Sequence, residues 1–527
     1  MAPTTLAHRL AAFPLDGLAL RRSVRIRWNT HAVPYIEAHD DADAAYALGL
    51  VHVHLRCAQL HMLKRLAQGR VAEMLGPFAV ELDHALRLLD LSGAAARCET
   101  ALATDTRAWL EPFVHGLNDA QARLRTMPPE FRWLGLKAEP WTITDLLTLG
   151  RLAGADVNWT HHLGLLGVRG RADFGALWER LRIVGGTAGA AGFVRALTQV
   201  VRAGSNSVAI AGSRSSRGAP LMANDPHLGQ HLPNFWMLVG LRCPRYHMVG
   251  LMPPGLPFVG VGAGAHAAWG GTNMRAASSD LVDVSSLPES EIDVASIAIR
   301  VRGLGTRTRT VRRTRFGPIL NDASLLKVRG APVALRWMGS EVSDEIGAFL
   351  RASNATTPDA FRAAFATFGV CAQNILFATR DGHIGHVYAG HLPRRGELKA
   401  ASPVLDPAEA DAAWSTRWDA TSLPMTVDPE CGYRVSANDR PQFAEAPLGF
   451  FFSEGDRAAR LAQLAARDQL DLSVLRDLQS DTLVPGAARL ANALADRLDH
   501  ARIDAPLAAR LRGWDGDYAA DAAMPSV

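Results

Sequence analysis

The sequence predicts an α+β fold, and three textures along the chain carry the prediction. The first third is rich in Ala, Leu and Arg at helical spacing. From Ser205 onward, short apolar runs are separated by Gly and Pro, as strands and turns require. From Arg457 the spacing is helical again. At 527 residues, 48% hydrophobic and 20% charged, the chain is ordinary globular material, with length for more than one domain and for a large core.

The elements follow in order. Asp41 to Leu75 reads as helix, stopped by Gly76-Pro77. Thr104 to Arg125 and Thr144 to Leu166 read as two more. Gly185 to Gly192 is nearly all Gly, Ala and Thr, a flexible stretch, and a short amphipathic piece, Phe193 to Val201, leads to Gly204. This divides the chain into a helical part, 1–184, a spacer, 185–204, and a strand-rich part, 205–527. Strands are expected at Val208–Ala211, Pro220–Ala223, Phe235–Leu241, Tyr246–Leu251 and Phe258–Val261. Ile297 to Phe316 reads as an arginine-rich hairpin, and Ile375–Ala378 with His383–Ala389 as a strand pair around Asp381-Gly382.

Several function classes are disfavoured. A net charge of +4 is too small to imply a nucleic-acid or membrane partner. The arginines of the hairpin, Arg300, Arg302, Arg307, Arg309, Arg312, Arg313 and Arg315, could mark a nucleic-acid patch, but no aromatic residues interleave for stacking. Alternation places several of them on one solvated face. Five scattered cysteines without a CxxC pair read as buried thiols rather than a disulfide framework. His54, Cys57 and His61 share a helix face, yet core packing is the expected role and no metal is expected there. Gly250 to Gly271 lacks charge but carries Pro253, Pro254, Pro257 and repeated glycines, so strands and turns are expected, not a membrane span. The apolar run from Leu6 to Leu20 is broken by Arg9, Pro14 and Asp16, which is no clear export signal and favours the cytoplasm.

Gly204-Ser205-Asn206 stands at the head of a strand. A chain cut before such a serine leaves it with a free α-amino group, so that one residue carries nucleophile and base together. The amine's reference pKa, about 7.7–8.0, leaves a useful fraction neutral near neutral pH. Alone, the triplet reads as a loop entering a strand.

Longer motifs change that balance. Val33-Pro34-Tyr35-Ile36-Glu37-Ala38, Ala45-Tyr46-Ala47-Leu48-Gly49-Leu50-Val51-His52, Gly69-Arg70-Val71-Ala72-Glu73-Met74-Leu75-Gly76-Pro77, Asn224-Asp225-Pro226-His227-Leu228, Pro254-Gly255-Leu256-Pro257 and His266-Ala267-Ala268-Trp269-Gly270-Gly271-Thr272-Asn273 occur in this order. Over about Arg25 to Gly516 the chain resembles the penicillin acylase (penicillin amidase) family of N-terminal nucleophile hydrolases. The resemblance implies a four-layer αββα sandwich with a mostly helical N-terminal chain. It also implies self-cleavage between Gly204 and Ser205 and hydrolysis of a small-molecule acyl amide by the two chains of one precursor.

The resemblance assigns roles as well. Ser205 is the nucleophile. The backbone N–H of Asn273 is one oxyanion donor. Gln373-Asn374-Ile375-Leu376 puts Asn374 in the role of the second, and Leu392-Pro393-Arg394-Arg395 puts Arg395 in support of it. His227 stands where acylases of acyl-homoserine lactones and some cephalosporins often have His and penicillin G types have Gln. It would orient the serine hydroxyl or amine. Leu228, Phe235, Val261 and Gly271 border an acyl pocket, which implies an apolar acid; penicillins, acyl-homoserine lactones and N-acyl amino acids all remain open.

Two departures qualify these expectations. Many family members bind calcium through acidic residues, but here Ala277 and His161-His162 stand at two ligand positions, with Asp280 and Asp283 further on. Calcium takes several oxygen ligands, so no cofactor is expected. Trp514-Asp515-Gly516 matches a motif that in the family lies well before the C-terminus, and Val527 follows shortly. The expectation is a truncated relative with part of its sheet missing, for which the rival reading is an inert protein with a binding role.

Overall fold

The computed structural model describes residues 5–184, 204–229, 232–395, 402–441, 448–453 and 455–524. The expected spacer therefore lies outside the described residues, apart from Gly204 at its end.

The helical part is built on Asp41–Ala67, whose first turn is capped by the Asp40 carboxylate accepting from the amides of Ala42 and Asp43. It ends before Gly69, where φ is +62°, and a separate short helix, Ala72–Leu75, follows. The single helix expected over 41–75 is thus two. Thr104–Ala122 packs along the first helix. The two backbones touch where Gly49 meets Gly116: a Cβ on Gly116 would lie 2.1 Å from the carbonyl oxygen of Tyr46. The expected helix over 144–166 also divides. Ile143–Ala153 starts on a capping box between Thr142 and Asp145, and Trp159–Val168 resumes after Gly154. Lys64 pairs with Asp145 at 2.9 Å and donates to the Pro140 carbonyl, which locks the first helix to the third inside the core.

A nine-stranded sheet lies beside these helices. In spatial order its strands are Arg25–Trp28, Pro34–Glu37, Met237–Arg242, His247–Met252, Val261–Gly264, Ala267–Asn273, Gln373–Thr379, Ile384–Ala389 and Met425–Val427. All neighbours are antiparallel except Pro34–Glu37 with Met237–Arg242, the pair that joins the two parts of the chain. Strand alternation sorts the residues by face. Ile375 and Phe377 pack into the helix-side core, while Leu376 and Ala378 pack against Ala209 and Met222 of a second sheet. That sheet has three strands, Tyr433–Ser436, Ser205–Ile210 and Leu221–Pro226. Helices Asp456–Ala465 and Leu472–Gln479 cover it. The fold is a mixture of helix and sheet, as expected.

The arginine hairpin is Asp293–Val301 with Gly305–Thr314, paired in a 3-stranded sheet. Arg300, Arg302, Arg307 and Arg315 are exposed, as expected of a solvated face, and most of the hairpin arginines are also engaged: Arg309 with Glu81, Arg312 with Asp322, Arg315 with Glu291 and Asp411, and Arg302 and Arg313 on main-chain carbonyls. His52 accepts the Gly255 amide, His61 pairs with Gln121 at 2.7 Å, and Cys57 is buried. Cys98 and Cys243 are buried as expected, but Cys371 is partly exposed and Cys431 exposed. No helix among the described residues is long and apolar enough to cross a membrane.

Candidate active site

Ser205 opens the central strand of the three-stranded sheet, pairing with Pro226 on one side. Its amide nitrogen donates to Asn438 Oδ1 at 2.8 Å. Asn438 is buried with φ +63°, a left-handed conformation that Asn tolerates better than most residues. Its Nδ2 donates to the carbonyl of Asn273 at 2.8 Å, so one side chain bridges the serine and the end of the Ala267–Asn273 strand. Arg457 completes the frame. Its guanidinium donates to the Ser205 carbonyl and Asn206 Oδ1, both at 2.9 Å, and to Asn438 Oδ1, the Ala437 carbonyl and Ser453 Oγ. Burial lowers the pKa of this arginine, against which Asp439 raises it.

Ladder geometry sets the direction of the Asn273 amide. Met274 N–H bonds the Ala372 carbonyl, which makes Asn273 and Gln373 a non-hydrogen-bonded pair and turns the Asn273 N–H away from that strand. The strand on the other side pairs only as far as Trp269.

A cavity of about 220 Å³ is lined by Ser205, Asn273, Leu228, Phe235, Val261 and Gly271, together with Gln373, Ile375, Phe258 and Phe349. A second cavity of about 160 Å³, walled mainly by leucines, shares Ala153, Phe235, Pro253 and Leu256 with it. The walls offer contacts to an apolar group and few polar ones.

The sequence-derived site residues divide. Ser205, Asn273 and the four pocket residues meet around one cavity. His227 is close by: its amide donates to the Gly204 carbonyl at 3.0 Å and its Nε2 contacts Asp225 Oδ2 at 2.9 Å. Asn374 does not join them. Strand alternation gives the cavity to Gln373 and Ile375 and turns Asn374 to the other face, where its Nδ2 donates to Thr272 Oγ1 and its Oδ1 meets His386. Arg395 is likewise elsewhere, donating to the Ala277 carbonyl at 2.8 Å and Asp280 Oδ2 at 2.5 Å. Asn438 and Arg457 take the places around the serine that Asn374 and Arg395 were expected to fill. Their signals are the Asn438-Asp439 step after a strand and the Asp456-Arg457 helix start, both far from Ser205 in sequence.

The expected calcium region has its own arrangement. Asp280 is held by Arg395 and by Trp414 Nε1, and Asp283 by Arg169 and Ser285. His162 is buried and its pKa is pushed down to about 3 by burial, then by His161 and Arg395, which keeps it neutral. Asp156, also buried, has its pKa raised by burial against donors from Ser278, Ser279 and the Asn158 amide. A guanidinium thus holds one carboxylate oxygen of Asp280 and the Ala277 carbonyl in this region.

Residues 23–527 match the penicillin amidase family, and the chain belongs to it. Among curated relatives, it is 30% identical over 514 residues to the acyl-homoserine lactone acylase QuiP of Pseudomonas aeruginosa, covering 86% of this chain and 59% of that one. It is 27% identical over 575 residues to the penicillin acylase 2 proenzyme of Pseudomonas sp. (strain SE83), covering 97% and 71%. The chain therefore spans about three fifths of the first of these relatives. Among solved structures, a thermostable penicillin G acylase from Alcaligenes faecalis matches at 21% identity and a TM-score of 0.49, over 59% of each chain.

Proposed function

We propose that this chain is the precursor of an acylase that cuts itself before Ser205 and then hydrolyses the amide of an N-acylated small molecule. The observation that carries the reading is the bridge from the Ser205 nitrogen through Asn438 to Asn273, at the wall of an apolar cavity. The two facing sheets with helices on both outer sides are read as the αββα arrangement.

In the first reaction Ser205 Oγ attacks the Gly204 carbonyl carbon and the Gly204–Ser205 C–N bond breaks. An ester to Oγ forms, which water hydrolyses to a Gly204 carboxylate and a free Ser205 amine. The His227 amide, on the Gly204 oxygen, is a donor for the charge that develops there. In turnover the α-amine takes the Oγ proton, and Oγ attacks the substrate's amide carbon. The oxyanion is met by the Asn273 N–H and by the second Nδ2 hydrogen of Asn438. The leaving amine takes the proton, and water then hydrolyses the acyl ester. The apolar walls take the acyl group, and the leucine-lined second cavity has room for its far end. Arg395 serves the region where relatives would place calcium, so no cofactor is required.

Mass spectrometry of purified protein tests the reading. The parent chain should give two chains with the break at Ser205, and Ser205→Ala should give one. A Ser205→Ala protein still broken before residue 205 would refute self-processing by this serine.

A further inference from the structure

The Asn273 amide can meet an oxyanion only if the strand end that carries it stays in place. The strand Ala267–Asn273 stops there and the chain turns at once. The Arg275 amide donates to Asn273 Oδ1 at 2.8 Å, an Asx turn in which the side chain takes the part of a backbone carbonyl. The Asn273 carbonyl is held by Asn438, and the Met274 amide by the Ala372 carbonyl. The remaining polar atom of the Asn273 side chain, Nδ2, donates to Cys371 Sγ at 3.3 Å.

Cys371 receives a second donor. Gln373 Nε2 reaches the same sulfur at 3.0 Å. Gln373 and Asn273 face each other across neighbouring strands, in the non-hydrogen-bonded kind of pair whose side chains stand closest. One thiol therefore ties two side chains that oppose each other across the ladder. Asn273, Cys371 and Gln373 all line the cavity with Ser205. A large, polarizable sulfur can accept both amides, where a methyl group could accept neither.

We propose that Cys371 is a positioning residue: by holding the Asn273 side chain it fixes the direction of the Asn273 N–H toward the developing oxyanion. The inference rests on the acylase reading above. The thiol touches neither the serine nor the substrate carbonyl and exchanges no proton in the reaction. Self-cleavage draws on the His227 amide, which already meets the Gly204 carbonyl. Loss of the thiol should therefore spare the cut and slow turnover.

Two probes of equal chain length separate the oxyanion donors from the cavity. Nonylboronic acid takes up the serine oxygen and becomes tetrahedral, so its affinity follows the oxyanion donors, while nonanol only fills the cavity. On processed Cys371→Ala, calorimetric binding of nonylboronic acid should weaken roughly 3- to 10-fold, about the value of one hydrogen bond, with nonanol unchanged. With decanoyl p-nitroanilide as substrate, kcat should fall by the same factor at unchanged KM. Cys371→Ser keeps an acceptor and should recover most of the loss. Asn273→Ala removes the same contact from its other side, so adding Cys371→Ala to it should cost little more. Boronate binding equal to the parent's overturns the proposal. So does a parallel loss of nonanol binding, or a folded Cys371→Ala that stays a single chain. If Cys371→Ala does not fold, Asn273→Ala carries the same comparison: weaker boronate with unchanged nonanol supports the clamp, and equal boronate overturns it. A parent that neither divides at Ser205 nor binds nonylboronic acid overturns the acylase reading, and this proposal with it. A parent that does both, with a Cys371→Ala that matches it, overturns this proposal alone.

Discussion

At the scale of single residues, Asn438 does what no other side chain of the site does, touching the serine nitrogen and the strand that carries the Asn273 amide. Asn438→Gly keeps the positive φ and removes the amide group. It should cost on the order of 10²–10³ in turnover, the usual effect of losing one oxyanion donor. Asn374→Ala should leave turnover near the parent's, since its partners are Thr272 and His386. A reversed result, measured as kcat on processed enzyme, would return the role to Asn374. Leu228, Gly271 and Asn273, which line the cavity with Ser205, could be singled out because they sit in the long motifs Asn224–Leu228 and His266–Asn273. Asn374 was misread because a motif fixes position along a strand, while the face depends on register with neighbours, which a linear reading does not contain. Arg457 was missed because its partners at the serine, Ser205 and Asn206, lie 252 and 251 residues away.

At the scale of elements, most helices and strands were legible from periodicity, and the errors fall at breaks. Gly69 and Gly154 end helices that apolar spacing alone would continue. The helices also carry buried neutral histidines. Burial pushes His52 down to about 3, and His61 to about 4, against an ordinary value near 6.5. His162 lies at about 3 for the same reason. The sign follows from linkage. Between about 6.5 and these folded values the unfolded chain binds protons that the folded chain does not, so stability falls as pH falls. Urea midpoints should therefore decline from just below pH 6.5, ahead of the carboxylate range. His52→Gln, in which no imidazole can titrate, should flatten part of that slope. A midpoint constant from pH 7 to pH 5 would contradict the burial of these rings.

At the scale of the whole molecule, the two parts of the chain are held by a shared sheet and by side chains that cross between them, such as Arg151 with Glu345 and Ser343. Arg395 adds a further internal cation, on Asp280 and the Ala277 carbonyl. A chelator should accordingly change neither melting temperature nor processing. A drop in melting temperature with EDTA, restored by calcium, would show that a metal does hold this region. Arg395→Ala should instead lower the melting temperature by leaving Asp280 buried without its cation. The family expectation brought attention to this region, but only the folded arrangement reveals which group neutralises it.

The span between Ser205 and its partners sets an order in time. Asn438 and Arg457 emerge from the ribosome 233 and 252 residues after the serine they surround. If the proposed self-cleavage depends on this frame, the Gly204–Ser205 bond stays an ordinary peptide until both residues have been made and folded against the serine. A nascent chain stalled at Gly432 should remain whole however long it waits, while extension beyond Arg457 should start the clock. The break between the two parts would then serve as a late record that the distant segment has folded into place.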